Sequence, residues 1–307
     1  MIMNVGVIGV GRMGKNHVRV YSELKRVKDI YVYDVDRDAA ESMKKFDAVV
    51  CDSLDDLLRV VDAVSICVPT SLHFEVLTKV LERGIHTLVE KPITLTFEEG
   101  KKVLETLKEK RDVVVGVGHI ERFNPIVGEI REIINDPIYV DIKRHNPTSI
   151  RITDSSVVED LMIHDIDIVF HVLFPNREFK IFSAGNRDVS TVLIRFDRSV
   201  VTISASRMAA KKIRSIHIEE EDFTIEGDFM SQELFIYRKP EKYRIEGWRY
   251  VQENIIEKVL VNKVEPLKVE LETFIDCVER GESFPVTPEQ AVFNLKICEM
   301  VKQHGVL

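Results

Sequence analysis

The stretch Val5-Gly-Val-Ile-Gly9-Val-Gly11-Arg-Met-Gly14 decides the fold. Val5–Val10 is a short apolar run of the kind a buried strand makes, and Met13–Leu24 carries helical patterning, so the glycines occupy a strand-to-helix turn. Each answers a separate steric demand. Gly9 permits the tight turn, Gly11 lets the backbone approach a pyrophosphate, and Gly14 lets helix and strand pack closely. The exposed N–H groups and the helix dipole then stabilise the anion. Three spaced glycines alone are a weak signal. Here the context is complete, because Asp34 ends the second strand about 20 residues after Gly14. Its carboxylate suits a ribose diol and repels a 2′-phosphate, which favours NAD over NADP, while Arg37 argues the other way. The loop residues Gly9, Gly11, Arg12, Met13 and Gly14, together with Asp34, are the first candidate cofactor contacts.

Outward from this turn, short apolar runs alternate with helical stretches: Ile30–Tyr33, Ala63–Val68, His86–Val89 and Val113–Val117 against 39–45, 74–83 and 97–110. That alternation indicates βαβ units and a parallel sheet. Val68-Pro69-Thr70 ends one such strand on the expected cofactor edge, so Pro69 and Thr70 are placed along the dinucleotide. His73 either reaches it too or is a polar residue in a helix's first turn. After Gly118-His119 the rhythm changes. A helix at 125–135, a strand at 138–144 and a long helix at 155–174 precede six strand-like stretches between Phe179 and Tyr237, and helices at 266–280 and 288–303 close the chain. The expected fold is α/β: an N-terminal doubly wound Rossmann sheet over 1–120, then an α+β domain over 121–307 with an open, largely antiparallel sheet. The last helices are free to pack back on the first domain.

Composition sets the outer limits. The chain has 307 residues, 45% hydrophobic and 31% charged, with a formal net charge of −8. That is ordinary for a folded two-domain protein and lacks the basic footprint of a nucleic-acid binder. No run of about 18 apolar residues is present to span a membrane. Cys51, Cys67, Cys277 and Cys298 are scattered, which reads as a reduced, cytoplasmic protein.

The helix expected over 155–174 is apolar nearly all round, as buried helices are. At about 100° per residue, Asp160, Asp167 and His171 all fall within about 60° of His164 on one side. A narrow polar stripe on a buried helix must be satisfied by partners. Asp165 and Glu159 lie off this stripe and must meet water or a partner of their own. A divalent cation on Asp160, His164, Asp167 and His171 is the weaker reading, and no metal is expected.

Taken together, the glycine loop, Glu90-Lys91-Pro92 after a strand, Asp160-Leu-Met-Ile-His164-Asp165-Ile-Asp167 on a helix, the closing Glu270-x-x-x-Phe274 and Val286-Thr-Pro-Glu-Gln-Ala291 resemble the Gfo/Idh/MocA oxidoreductases across essentially the whole chain. Gly118-His-Ile-Glu-Arg122-Phe-Asn124-Pro125, followed by Arg151 and Asp160-x-x-x-His164-Asp165, is similar to the UDP-N-acetylglucosamine 3-dehydrogenase branch. The resemblance implies that Lys91, Asp160 and His164 surround the reacting carbon, that Glu90 and Lys91 also meet the cofactor, and that the Lys91–Pro92 bond is cis. It further implies that one sheet face forms a subunit interface, giving a homodimer or homotetramer.

The chemistry agrees with that set. Oxidising an alcohol needs a base for the hydroxyl proton, and an unperturbed histidine titrates at about pH 6.5. Asp160 orients the imidazole or binds a substrate hydroxyl. Lys91 stabilises the developing alkoxide or shares the proton. For a nucleotide-sugar substrate, Arg122, Arg144 and Arg151 are the candidate diphosphate ligands, and Asn124 a reader of a hydroxyl or acetamido group. Lys211 and Lys212 read as a solvated loop, and Phe223, Phe229, Phe235 and Tyr237 as core or subunit interface. The expected activity is NAD-dependent oxidation of a sugar alcohol, first at C3 of UDP-N-acetylglucosamine. A free cyclitol or hexose, or a non-catalytic NAD-binding sensor or scaffold, are the competing readings.

Overall fold

The computed structural model describes residues 2–110, 112–147, 155–240, 243–246, 248–252 and 254–304. The chain divides into two compact units, Met1–Phe123 with Glu265–Lys296, and Asn124–Val264 with Ile297–Leu307. Among the described residues no helix is long and apolar enough to cross a membrane.

The first unit holds six parallel strands: β1 (Met3–Ile8), β2 (Val27–Tyr33), β3 (Val49–Val50), β4 (Ala63–Ile66), β5 (His86–Glu90) and β6 (Val115–Gly118), in the order β3-β2-β1-β4-β5-β6. The connecting helices are α1 (Arg12–Glu23), α2 (Arg37–Glu41), α3 (Leu54–Leu58), α4 (His73–Glu82) and α5 (Phe97–Leu107). Every residue of β4 is buried, which is why the central strands read as unbroken apolar runs. β3 and α3 escape sequence reading because two and five residues are too few for a period to show. Strand order reverses between β1 and β4, the place where doubly wound sheets open a crevice at their carboxyl ends. The unit is completed by α8 (Pro266–Arg280), whose face of Leu267, Leu271, Phe274 and Ile275 is buried and which packs on α1 and on the 3-10 turn Ile120–Phe123. The unit is thus not a contiguous N-terminal segment.

The second unit begins with α6 (Pro125–Ile133) and β7 (Tyr139–His145). A helical segment follows, with α7 (Ile163–Ile168) flanked by π-helical turns Val158–Met162 and Val169–Leu173. Then come β8 (Lys180–Gly185), β9 (Val189–Phe196), β10 (Ser199–Ser206), β11 (Ile213–Glu219), β12 (Phe223–Asp228) and β13 (Glu233–Arg238). Beyond them lie a hairpin, β14 (Tyr243–Glu246) and β15 (Arg249–Gln252), and then β16 (Ile255–Lys258). The sheet runs β16-β13-β12-β11-β7-β10-β9-β8, with β7 and β10 parallel and every other pair antiparallel. Alternation is strict in β9, where every second residue is buried. The buried face packs against the helical segment, whose first π turn meets β7 and β10. Phe174 stacks on Phe196 at 4.5 Å, with Phe170 and Phe179 edge-on around them. The last helix, α9 (Pro288–His304), contributes its end here, where Ser183 donates to the Val301 carbonyl.

One buried ion pair anchors the helix to this sheet. Arg144, from β7, forms a bidentate bond to Asp165, from α7, with Nε 2.9 Å and Nη2 2.7 Å from Oδ1, and its guanidinium lies over the Phe229 ring. Both side chains are essentially inaccessible. Asp165 thus meets a partner, as its position off the polar stripe required. Removing one member of a buried pair costs about 3–5 kcal/mol because the other charge is stranded. Asp165→Asn should therefore lower the unfolding free energy by that amount in urea titrations. The double replacement Arg144→Met with Asp165→Leu should restore most of it.

Candidate active site

In the first unit the glycine turn has the geometry its spacing implied. Gly9 adopts φ +84°, and a Cβ there would lie 2.8 Å from the Val68 amide nitrogen. A Cβ at Gly14 would sit 1.9 Å from the Gly9 carbonyl oxygen, so α1 reaches the strand end only without a side chain. At Gly11, the N-cap of α1, nothing lies within 4 Å of that position. A helix start with this open approach fits a pyrophosphate. Arg12 is exposed on the first turn and Met13 half-buried. Asp34, half-buried at the end of β2, accepts from the Val10 N–H at 2.6 Å and the Asp36 N–H at 2.9 Å. A carboxylate has about four acceptor positions, which leaves capacity for a ribose diol. Arg37 is engaged by Asp52 and Glu41.

The loops after β4 and β5 complete this edge. Pro69 is exposed and Thr70 half-buried. His73 does not reach outward as one expectation had it. Its ring is buried, with Nδ1 2.7 Å from the Pro92 carbonyl oxygen and Nε2 3.0 Å from that of Val68. Burial lowers its pKa, against the pull of those carbonyls. It links two loops instead of meeting a ligand. Glu90 also points inward, which corrects its assignment as a cofactor contact. Its Oε1 lies 2.9 Å from His17 Nε2, and its Oε2 accepts from the Lys91 N–H. Burial works to raise the Glu90 pKa, but the His17 hydrogen bond and the neighbouring charges hold it below the ordinary value. Lys91 itself is half-buried, and its bond to Pro92 is cis.

In the second unit, residues 161–170 are all buried except His164, which is half-buried. Asp160 and His171 are half-buried as well, while Asp167 is buried. The stripe therefore survives, although the π turns at either end widen the helix beyond a uniform 3.6-residue count. Asp160 accepts from Arg207 Nη2 at 3.3 Å. Arg207 is 1% exposed and also donates to the Ser155 and Ser156 carbonyls. Among the described residues, the one group with closely spaced ligand atoms is His17, Cys67 and Glu90 in the first unit, where His17 and Glu90 are bonded to each other.

Two expected substrate contacts are corrected. Arg144 is closed off with Asp165 and offers no fork to a phosphate. Asn124 is buried as the N-cap of α6, its Oδ1 accepting from the Ile126 N–H and its Nδ2 donating to the Phe229 carbonyl. Arg122 is half-buried, with Nη2 3.5 Å from Gln290 Oε1. Arg151 lies outside the described residues. Sequence reasoning missed His17, and read Arg207 only as one end of the basic cluster Arg207-Met-Ala-Ala-Lys-Lys-Ile-Arg214. The first was visible as the third residue after Gly14, on the inward face of α1. The second sits at the end of β10, where only the fold shows that it turns towards Asp160.

The family described as "Oxidoreductase family, NAD-binding Rossmann fold" (GFO_IDH_MocA) matches residues 3–119. A UDP-N-acetylglucosamine 3-dehydrogenase from Acidithiobacillus ferrooxidans is 30% identical over 284 residues, covering 90% of this chain and 88% of its own. A solved structure of UDP-N-acetylglucosamine 3-dehydrogenase from the same organism superposes with a TM-score of 0.87 at 28% identity, over 99% of this chain and 98% of that one. A scyllo-inositol 2-dehydrogenase (NAD(+)) from Bacillus subtilis is 27% identical over 322 residues, covering 95% of this chain and 90% of its own.

The glycine turn yields a test in which the sign matters. Helix propensity alone favours alanine over glycine by about 1 kcal/mol. At Gly14 the clash is with backbone, so Gly14→Ala should instead destabilise by about 1–3 kcal/mol. Gly128→Ala in α6, with open space around it, should stabilise slightly. Chemical denaturation of the two variants reads both signs.

Proposed function

The chain belongs to the Gfo/Idh/MocA oxidoreductases, and on that premise we propose that it moves a hydride between NAD and a secondary alcohol carbon of a sugar, first of all C3 of UDP-N-acetylglucosamine. The observation that carries the chemical part is the position of His164, half-open in an otherwise closed ten-residue stretch of helix. A base that must meet substrate needs that access, and its buried neighbours hold it in place.

The residues that would hold the dinucleotide are the turn Gly9, Gly11, Arg12, Met13 and Gly14 for the pyrophosphate, Asp34 for the ribose, and Pro69, Thr70 and Lys91 along the edge. Bound there, nicotinamide would supply the hydride acceptor. His164 would take the substrate's hydroxyl proton as that carbon is oxidised to a ketone. Asp160, held by Arg207, orients the imidazole or a substrate hydroxyl. Lys91 places an ammonium beside the developing alkoxide. NAD is preferred to NADP because Asp34 opposes a 2′-phosphate and Arg37 is already engaged by two carboxylates.

The nucleotide-sugar reading is supported by the 30% identical relative, with Arg122 and Arg151 as its candidate diphosphate ligands. The inositol dehydrogenase likeness, and the internal engagement of Arg144 and Asn124, favour a free cyclitol as the second reading. Self-association through the open sheet face belongs to the same proposal, because Phe182 and Leu193 are exposed there.

A screen of nucleotide sugars against free sugars and cyclitols, followed by NADH formation, decides between these. No turnover on any of them with tight NAD binding would favour a sensor or scaffold. His164→Ala should cut turnover by about 10²–10⁴ with NADH affinity largely kept, and Lys91→Ala should cut turnover over the same range. Full activity in both would refute the assignment. Asp34→Ala should weaken NAD binding and narrow the preference over NADP, as measured by the two dissociation constants.

A further inference from the structure

The interior of the first unit holds a charged residue that the proposed reaction does not use. Glu270 lies in the buried stripe of α8, among Leu267, Leu271, Phe274 and Ile275, and is 0% exposed. Neither carboxylate oxygen has a hydrogen-bond partner among the described residues. A lone buried carboxylate is unfavourable by several kcal/mol or more, so such groups neutralise. Glu90, by contrast, has donors: His17 Nε2 at 2.9 Å and the Lys91 N–H. The one with donors keeps the charge.

We propose that Glu270 is held as a neutral carboxylic acid in the core of the first unit, and that the folded state tolerates it there only while it keeps its proton. Titration of Glu270 then acts as a pH limit on this part of the fold. The ionisable neighbours support the choice of the neutral member. α1 presents His17 and Tyr21, with Tyr21 bonded to Ser65 of β4. Cys67 follows β4, Glu90 ends β5, and Lys91 follows it. The 3-10 turn against α8 carries Glu121 and Arg122. At the surface, Arg19 pairs with Glu265 and Lys268 with Glu23. Burial, then the charge of Glu90, pushes the Glu270 pKa well up. Burial, with Glu90 and Glu270, pushes the Cys67 thiol up too.

The sign of the pH effect follows from linkage. An unfolded glutamate releases its proton near about pH 4.3, whereas folded Glu270 keeps it, so stability falls as pH rises between these two values. Glu90 acts oppositely and in a separate acid window, since its lowered pKa costs stability only as pH falls.

The test uses the full chain without added cofactor and compares wild type with Glu270→Gln, which keeps the shape and cannot ionise. From about pH 5 upward, to the raised pKa, the wild-type unfolding constant should climb about tenfold per pH unit more steeply than that of E270Q, because one proton separates them. A protonated-carboxyl infrared band at neutral pH should be present in wild type and absent in E270Q. Glu270→Leu supplies a second control: it cannot ionise either and should flatten the pH dependence as Gln does. Parallel wild-type and E270Q curves, or an unchanged infrared band in E270Q, would overturn the proposal.

Discussion

A missing methyl group organises the cofactor edge of the first unit. Because Gly14 has no Cβ, α1 can start against the Gly9 carbonyl, and because Gly9 has none, the backbone at Val68 can approach it. From there the constraint passes by hydrogen bond. Val68 is tied through the His73 ring to Pro92, and Pro92 is joined to Lys91. The position of the ammonium group thus depends on contacts that begin at a glycine far away in sequence. Backbone clashes cannot be relieved by a rotamer change, which makes this chain of contacts stiff.

Buried charge pairs play the corresponding part for the side chains proposed to do chemistry. Lys91 follows Glu90, which is locked to His17. His164 precedes Asp165, which is locked to Arg144, and follows by one turn Asp160, which is held by Arg207. In each case the working residue is flanked by one that cannot move without stranding a charge. Such pairs are weak contributors to net stability, yet costly to break, and that asymmetry suits them to holding geometry. Glu270, buried with neither oxygen hydrogen-bonded among the described residues, is proposed to stay neutral instead.

The same accounting bears on the substrate. Arginine and asparagine near the catalytic helix suggest recognition of phosphate and acetamido groups, but a residue contributes to recognition only with atoms left over from the fold. Arg144 and Asn124 have their polar atoms engaged inside the second unit. On the proposed nucleotide-sugar reading, recognition of a diphosphate would fall to other cations, the half-buried Arg122 among them.

Much was legible in the sequence itself. The glycine spacing, the acidic residue at the end of β2 and the alternation of short apolar runs determined the doubly wound sheet, because these are local steric and periodic demands. The apolar circumference around His164 was equally local. What the tertiary structure alone decided was direction. It turned Glu90 and His73 inward, closed Arg144 on Asp165 and brought Arg207 to Asp160. It also made the helix around His164 partly π-helical. The physical reason is that a charged side chain's role is set by which opposite charge or carbonyl lies within about 3 Å, and those partners are supplied by residues distant along the chain.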